Sequence, residues 1–244
     1  MFFKIYFIIG QKTKISKRKN AILFWTIGFR GNIMYCIMPT KESLYYDKVY
    51  AENEAPFGTE PDKEVLRILD YKTSGSILDM GAGEGRNALF LAEAGFDVFA
   101  EDISRVGIEK IRQNAKENGL TVQAEVKDIR TENFERNFDV MICALVLHNI
   151  PKEKALTLIG QMKEHTNADG LNVISAFTEN GDFYRNHPRL TENFYPKEGE
   201  LKELYADWEI LEYEEKKSIA RATNKDGSPM FNILARMLAR KPKD

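Results

Sequence analysis

Hydrophobic positions follow two alternating patterns along most of this chain. Short apolar runs, which predict strands, begin at Ile77 and recur at residues 97–102, 122–126, 138–147, 171–177, 208–213 and within 230–240. Between most of these runs the apolar residues keep helical spacing, as Ile108, Ile111 and Ala115 do. Strands that alternate with helices predict an α/β fold with a doubly wound, mostly parallel sheet of seven strands.

Polar residues at the segment ends predict where the helices begin. Ser104 is expected to cap the helix after the second strand, and Thr59 to cap an earlier helix. That earlier helix is expected to bury four apolar residues, Val65, Leu66, Ile68 and Leu69. No helical pattern separates the last two strands, so we expect an antiparallel hairpin at one edge of the sheet. The long stretch 178–196 is a candidate lid.

A glycine-rich turn follows the first predicted strand. Gly81, Gly83 and Gly85 stand at alternate positions, and glycines let a ligand approach the bare backbone beside a helix N-terminus. The dinucleotide fingerprint requires a third glycine where this chain has Arg86, and Asp79 precedes the first glycine by two residues. A carboxylate there repels a pyrophosphate but attracts an ammonium and a sulfonium group. The turn therefore predicts S-adenosyl-L-methionine as cofactor.

Residues at the ends of the next strands complete the predicted cofactor site. Asp102 follows Gly81 by 21 residues, where it can accept hydrogen bonds from both ribose hydroxyls. The alternative is a helix cap or a solvated loop acid. Asp128 and Ile129 are placed for the adenine, although Asp128 also suits an ordinary loop. Ala144, at the end of the fourth strand, would receive the methionine moiety.

The composition describes a globular chain with no bulk attraction for nucleic acid. Its 244 residues are 43% hydrophobic and 30% charged, with a formal net charge of −2, so we expect an adequate core and no nucleic-acid partner. The two cysteines, Cys36 and Cys143, form no disulfide framework, which favours a cytoplasmic protein. Cys143 lies in an apolar strand and is interpreted as core packing.

The first 40 residues differ in composition from the rest. They hold seven of the 35 Lys and Arg residues and none of the 37 Asp and Glu residues. We therefore divide the chain into an atypical N-terminal extension, 1–40, and a domain, 41–244. The apolar runs of the extension are too short for a membrane span, which takes about 20 residues. It is interpreted as a disordered tail or as sequence foreign to the natural protein, which would then start at Met38. A membrane-surface anchor is the alternative.

Four segments together resemble the successive motifs of class I S-adenosylmethionine-dependent methyltransferases, whose sheet is Rossmann-like. They are the turn from Asp79 to Asn87, Ala100-Glu-Asp-Ile-Ser104, Asp128-Ile129 and the Asp169-Gly170 turn. Where Pro-Gly-Gly is common in the last of these motifs, this chain has Ala168-Asp169-Gly170.

The similarity is closer to the tellurite-resistance (TehB-like) branch, over about residues 45–241. The segments that carry it are Gly85-Arg86-Asn87, Tyr46-Asp-Lys-Val-Tyr50, Glu200-Leu-Lys with Tyr205 and Trp208, and Leu-Ala-Arg-Lys at 238–241. Ala220-Arg221 stands where the branch has a His-Arg pair, which weakens the case for tellurite as substrate.

The resemblance implies a methyltransferase that uses S-adenosyl-L-methionine, without a metal, on a small-molecule acceptor such as a chalcogen oxyanion (tellurite or selenite) or a thiol. Another O or N acceptor is the alternative. The implied cofactor-binding residues are Tyr50, Asp79, Gly81, Ala82, Gly83, Gly85, Arg86, Asn87, Asp102, Ile103, Asp128, Ile129 and Ala144.

No catalytic residue is singled out, but four residues are candidate contacts of the acceptor: His148, Arg185, His187 and Arg221. Four residues of the candidate lid are further candidates: Arg189 and the aromatic residues Tyr184, Phe194 and Tyr195. The alternative role of His148 is to cap the next helix, and that of His187 is a solvated loop residue. A thiolate or chalcogen acceptor needs no general base, whereas a hydroxyl or ammonium acceptor does.

Two other functions compete with this interpretation. Nucleic-acid methylation is disfavoured by the acidic domain and by Ala144-Leu-Val-Leu-His-Asn149, which replaces an Asn/Asp-Pro-Pro-Tyr motif. A sensor that binds the cofactor without turnover belongs to a different class of function, and the pattern of binding residues alone does not exclude it.

Overall fold

The computed structural model describes residues 26–30, 33–37, 39–131, 134–187 and 192–243. Within the segment 1–40, strands β1 (Thr26–Arg30) and β2 (Ile33–Ile37) pair as an antiparallel hairpin in a sheet of their own. The division into an extension and a domain at 41–244 stays a prediction. Among the described residues, no helix combines the length and the apolar character that crossing a bilayer requires.

The main sheet has seven strands in the spatial order β5-β4-β3-β6-β7-β9-β8. The strands are β3 (Ser76–Met80), β4 (Asp97–Asp102), β5 (Val122–Val126), β6 (Phe138–Ala144), β7 (Thr166–Phe177), β8 (Glu209–Thr223) and β9 (Pro229–Arg240). The strand pairs from β5 to β7 are parallel, whereas β9 is antiparallel to both β7 and β8. The predicted doubly wound, mostly parallel, Rossmann-like sheet with a C-terminal antiparallel hairpin is confirmed.

Helices cover both faces of this sheet. They are α1 (Lys41–Glu52), α2 (Lys63–Leu66), α3 (Arg86–Glu93), α4 (Arg105–Glu117), α5 (Lys152–Glu164), α6 (Asp182–Asn186) and α7 (Glu200–Glu203). On one face Leu91 of α3 and Ile108 of α4 join a core with Ile77 of β3. On the other face Ile159 of α5 joins a core with Met80 of β3. Neighbouring residues of a strand point to opposite faces, so β3 is buried from both sides and its end is fixed in place.

The expectation for the helix after Thr59 is wrong in two respects. Asp62, and not Thr59, is the N-cap residue of α2. Val65 and Ile68 are fully buried as expected, but Leu66 and Leu69 are 43% and 40% exposed. The cause is that α2 is a single turn that continues as a 3-10 turn, so a four-residue stripe with α-helical spacing does not face the core.

Several strands differ in length from their predicted ranges. β6 ends at Ala144 rather than at residue 147, because Leu145 has a φ of 58° and a 3-10 turn, Leu147–Asn149, follows. β7 begins at Thr166 rather than at 171. β8 is far longer than 208–213, because β9 pairs with it from Glu209 to Thr223.

The candidate lid, 178–196, contains secondary structure and core residues. Helix α6 lies within it, and Phe194 and Tyr195 are buried. Phe194 belongs to the core beneath α5, so its expected place in a lid is wrong. Arg189 lies outside the described residues.

Candidate functional site

The glycine-rich turn joins β3 to α3 through a left-handed backbone. Gly81, Gly83 and Gly85 have φ values of 71°, 60° and 89°, a region that L-residues with a side chain rarely adopt. Each also lies where a Cβ atom would collide. At Gly83 it would lie 2.8 Å from the hydroxyl oxygen of Tyr50, and at Gly85 2.7 Å from Cγ1 of Ile111. The turn therefore requires glycine at these positions, because neighbouring side chains occupy the space that each Cβ atom would need.

Asp79 lies directly beneath this turn and is 1% exposed. Its Oδ2 atom has no hydrogen-bond partner among the described residues. Burial, and next the neighbouring carboxylate of Asp62, raises the pKa of Asp79 to about 7, although the guanidinium of Arg86 opposes the rise. A buried carboxylate with a free oxygen is costly, and an ammonium group from a ligand would relieve that cost.

Arg86 and Asn87 hold the segment before α2 against the turn. Arg86 donates from Nη2 to both carboxylate oxygens of Asp62, at 2.7 and 2.8 Å. Asn87 donates to Asp62 Oδ2 at 3.1 Å and accepts from its backbone N–H at 2.9 Å. The structure thus gives both residues a structural partner, and contact with the cofactor stays a prediction for them.

Asp102 lies beside the turn, as the spacing predicted. Its Oδ2 atom accepts a hydrogen bond from the backbone N–H of Gly83 at 2.9 Å, and Oδ1 accepts from that of Ser104 at 2.7 Å. Ser104 also caps α4, by accepting from Gly107 N–H. Burial raises the pKa of Asp102, and these two hydrogen bonds oppose the rise. The carboxylate therefore orders the end of β4 and the middle of the turn together.

The predicted adenine contacts, Asp128 and Ile129, follow β5, and the predicted methionine contact, Ala144, ends β6. Asp128 accepts two hydrogen bonds from the Arg130 guanidinium, at 2.8 and 2.7 Å. Partial burial disfavours ionisation of Asp128, but this guanidinium lowers its pKa. Ile129 is buried, whereas Ile103 and Ala144 are half-buried. The structure places these residues on the same side of the sheet edge as Asp102 and leaves their ligand contacts as predictions.

Helix α1 lies over the turn and adds Asp47 and Tyr46 to the predicted cofactor residue Tyr50. Asp47 accepts hydrogen bonds from Ser104 Oγ at 2.6 Å and from Val106 N–H at 3.1 Å. Tyr50 is 4% exposed and its ring stacks with that of Tyr46, 6.1 Å away. Burial raises the pKa of Tyr46 to about 12, and its hydroxyl interacts with Asn149 and Asp102. The spacing of Tyr46 and Tyr50, one helical turn apart, was the sequence signal for this contact.

The candidate acceptor residues differ in burial: His148 is buried, whereas Arg185 and His187 are exposed. His148 is 8% exposed, and burial lowers its pKa to about 4. His187 lies at the end of α6, where its ring stacks on Phe183 at 4.3 Å. Arg185 is 62% exposed and lies 3.6 Å from Asp182. The backbone of Arg221 belongs to β8, and its side chain lies outside the described part of the chain.

Residues 38–238 match the family model of the tellurite resistance protein TehB. The chain belongs to the TehB family. A probable S-adenosyl-L-methionine-dependent methyltransferase TehB from Haemophilus influenzae is 34% identical over 216 residues, which are 88% of this chain and 69% of that protein. The crystal structure of TehB from Haemophilus influenzae superposes with a TM-score of 0.65 at 29% identity, covering 85% of this chain and 68% of that one.

A more distant neighbour shows the fold alone. The N-methyltransferase NodS from Bradyrhizobium japonicum, in complex with S-adenosyl-L-homocysteine, has a TM-score of 0.62 at 16% identity, over 84% of this chain and all of that one. The TehB-family chain described here is thus an S-adenosyl-L-methionine-dependent methyltransferase. Its residues fit that cofactor, since Asp79, two residues before the glycine-rich turn, has a buried carboxylate oxygen without a partner among the described residues.

Replacing Asp79 by asparagine should stabilise the free protein while weakening cofactor binding. The pKa of Asp79 in the folded state, about 7, exceeds the ordinary value of 3.8. The folded state therefore binds more protons than the unfolded state between these values, and stability falls as the pH rises through that window. The rise corresponds to about 4 kcal/mol of lost stability when the carboxyl ionises, whereas an unpaired amide costs about 1–3 kcal/mol at any pH. We expect Asp79→Asn to gain about 1–3 kcal/mol of unfolding free energy at pH 8 and to lose about 1–3 kcal/mol near pH 4.

Urea denaturation at the two pH values measures this gain, and calorimetric titration with S-adenosyl-L-homocysteine measures the loss of affinity. Asp139→Asn is the control, because burial disfavours the ionisation of Asp139 but its hydrogen bonds to Ser76 and Asn167 lower its pKa. That variant should lose stability at pH 8. An Asp79→Asn variant that is less stable at pH 8 than the parent would contradict the assignment.

Replacing Gly83 by alanine should lower the free energy of unfolding by more than backbone strain alone would. Gly119 is the matched control, because it has a similar φ of 67° and no atom lies within 4 Å of the added Cβ. We expect Gly119→Ala to lose about 1–2 kcal/mol of unfolding free energy, and Gly83→Ala to lose more because of the contact with Tyr50. In a Tyr50→Phe background part of the extra loss should disappear. Equal losses for the two glycine variants in urea denaturation would show that Tyr50 does not restrict the turn.

Proposed function

We propose that this enzyme methylates a small molecule that binds between the glycine-rich turn and the residues that follow β6 and β7. The proposal rests on a series of side-chain contacts across this region. Tyr50 lies against Gly83, Tyr46 stacks on Tyr50, and the Tyr46 hydroxyl interacts with both Asp102 and Asn149. The predicted cofactor residues and the candidate acceptor residue next to Asn149, His148, therefore belong to one site.

In this proposal each acidic residue of the turn region has one task. Asp79 would hold the ammonium group of the cofactor, Asp102 the ribose hydroxyls, and Asp128 with Ile129 the adenine. The cofactor supplies an electrophilic methyl group on a positively charged sulfur. Tyr46 and Tyr50 would exclude water from the turn, which strengthens electrostatic interactions beneath them.

The residues near the proposed acceptor site favour an acceptor that needs no strong base. An imidazole whose pKa is about 4 is neutral at pH 7 and accepts a proton poorly. A thiolate or a chalcogen oxyanion brings its own lone pair. The acceptor donates this pair to the methyl carbon as the bond from carbon to sulfur breaks and leaves its electrons on sulfur. A thiol acceptor gives its proton to water beforehand.

Incubation with cofactor labelled in the methyl group, and a panel of acceptors, tests the proposal. The panel contains a small thiol, selenite, tellurite, DNA and RNA. We expect label in a small-molecule product and none in nucleic acid, because the domain is acidic. Asp79→Asn is the control that should lose the transfer. Label in DNA or RNA, or tight cofactor binding without transfer to any member of the panel, would contradict the proposed function.

A further inference from the structure

We propose that the acceptor is a small aromatic thiol, held against the ring cluster next to Asn149, with its thiol group near His148 or Tyr195. This inference rests on the proposed function and narrows its substrate class. We define the ring cluster as His148, Phe177, Phe183 and Tyr195.

The ring cluster is a continuous set of aromatic contacts. The His148 ring lies 4.9 Å from that of Phe177, 5.5 Å from Phe183 and 6.2 Å from Tyr195, measured between ring centroids. Phe177 and Phe183 stack at 5.4 Å. Aromatic pairs at such distances attract each other through offset and edge-to-face arrangements. A planar ring from a ligand can therefore join the cluster with the same geometry.

The ring cluster lies beside the predicted cofactor site. His148 lies in the 3-10 turn after β6, Phe177 ends β7, and β6 lies between β3 and β7 in the sheet. The Tyr195 hydroxyl interacts electrostatically with that of Tyr46, which in turn interacts with Asp102. A ligand on this side of the cluster would thus lie next to the glycine-rich turn.

Two polar atoms of the cluster are buried without a hydrogen-bond partner among the described residues. They are Nδ1 of His148 and the hydroxyl oxygen of Tyr195, whose residues are 8% and 5% exposed. Leaving such a group unpaired costs about 1–3 kcal/mol. A thiol group on a ligand ring can pair with either of them. Because these atoms are closed to solvent, a ligand reaches them only when the side chains that cover them move aside.

Charge favours a neutral ligand over a free oxyanion. His148 is uncharged at pH 7, since burial lowers its pKa to about 4, and the other members of the ring cluster are uncharged phenylalanine and tyrosine. A buried anion without a cation is strongly disfavoured. Arg185, the nearest candidate cation on α6 with a described side chain, is 62% exposed and lies beside Asp182.

Equilibrium binding of three probes tests this inference without turnover. The probes are 2-naphthol, used as the hydroxyl analogue of an aromatic thiol, the saturated alcohol 2-decalol, which keeps the hydroxyl but lacks the aromatic rings, and selenite. Each is titrated with and without saturating S-adenosyl-L-homocysteine. We expect 2-naphthol to bind at least tenfold more tightly than either of the others. Binding of selenite or 2-decalol with equal or higher affinity, or no binding of 2-naphthol, would overturn the inference.

A pair of Tyr→Phe variants locates the binding site. Tyr195→Phe removes one hydroxyl from the ring cluster and should weaken 2-naphthol binding three- to tenfold. Tyr71→Phe is the matched control, since Tyr71 packs below the guanidinium of Arg240 and outside the cluster, and should leave the affinity unchanged. Equal affinities of the two variants would contradict the proposed site.

The titration of S-adenosyl-L-homocysteine itself separates this inference from the proposed function. If that ligand binds and 2-naphthol does not, only the substrate class is wrong. If that ligand fails to bind, the proposed function is wrong, and the titration of 2-naphthol into the free protein still decides whether the ring cluster holds an aromatic molecule.

Discussion

The burial of one carboxylate, that of Asp79, is the constraint on which the rest of the site depends. It lies at the end of a strand that is covered on both faces, so it cannot turn out to water. One of its oxygens lacks a partner among the described residues. A folded chain keeps such a costly arrangement when a ligand of opposite charge completes it.

The surrounding residues hold the turn and the neighbouring helices in place around this buried carboxylate. Asp102 binds the N–H of Gly83 from β4, Arg86 ties α3 to the segment before α2, and Asp47 ties α1 to the start of α4. Acidic side chains thus serve two purposes here. They position neighbouring backbone through hydrogen bonds, and together they make the region unfavourable for a phosphate and favourable for a cationic adenosyl donor.

The sequence predicted the parts of the structure that depend on local signals. The turn at Gly81 to Gly85, the Ser104 cap and the strand-helix alternation follow from residue type and spacing. Two features do not follow from local signals. The exposure of Leu66 and Leu69 depends on a switch to 3-10 geometry, and the full length of β8 depends on pairing with β9. The site contacts of Asp47 and the packing of Phe177 and Phe183 against His148 were missed for the same reason, since tertiary contacts alone bring them together.

Proton release on cofactor binding tests the central claim most directly. Calorimetric titration of S-adenosyl-L-homocysteine at pH 6, in two buffers with different ionisation enthalpies, measures the number of protons exchanged. If Asp79 pairs with the ligand's ammonium group, its carboxyl must ionise, and about one proton per site is released, with none released by Asp79→Asn. Binding without proton release, or the same release by both proteins, would show that Asp79 does not recognise the cofactor.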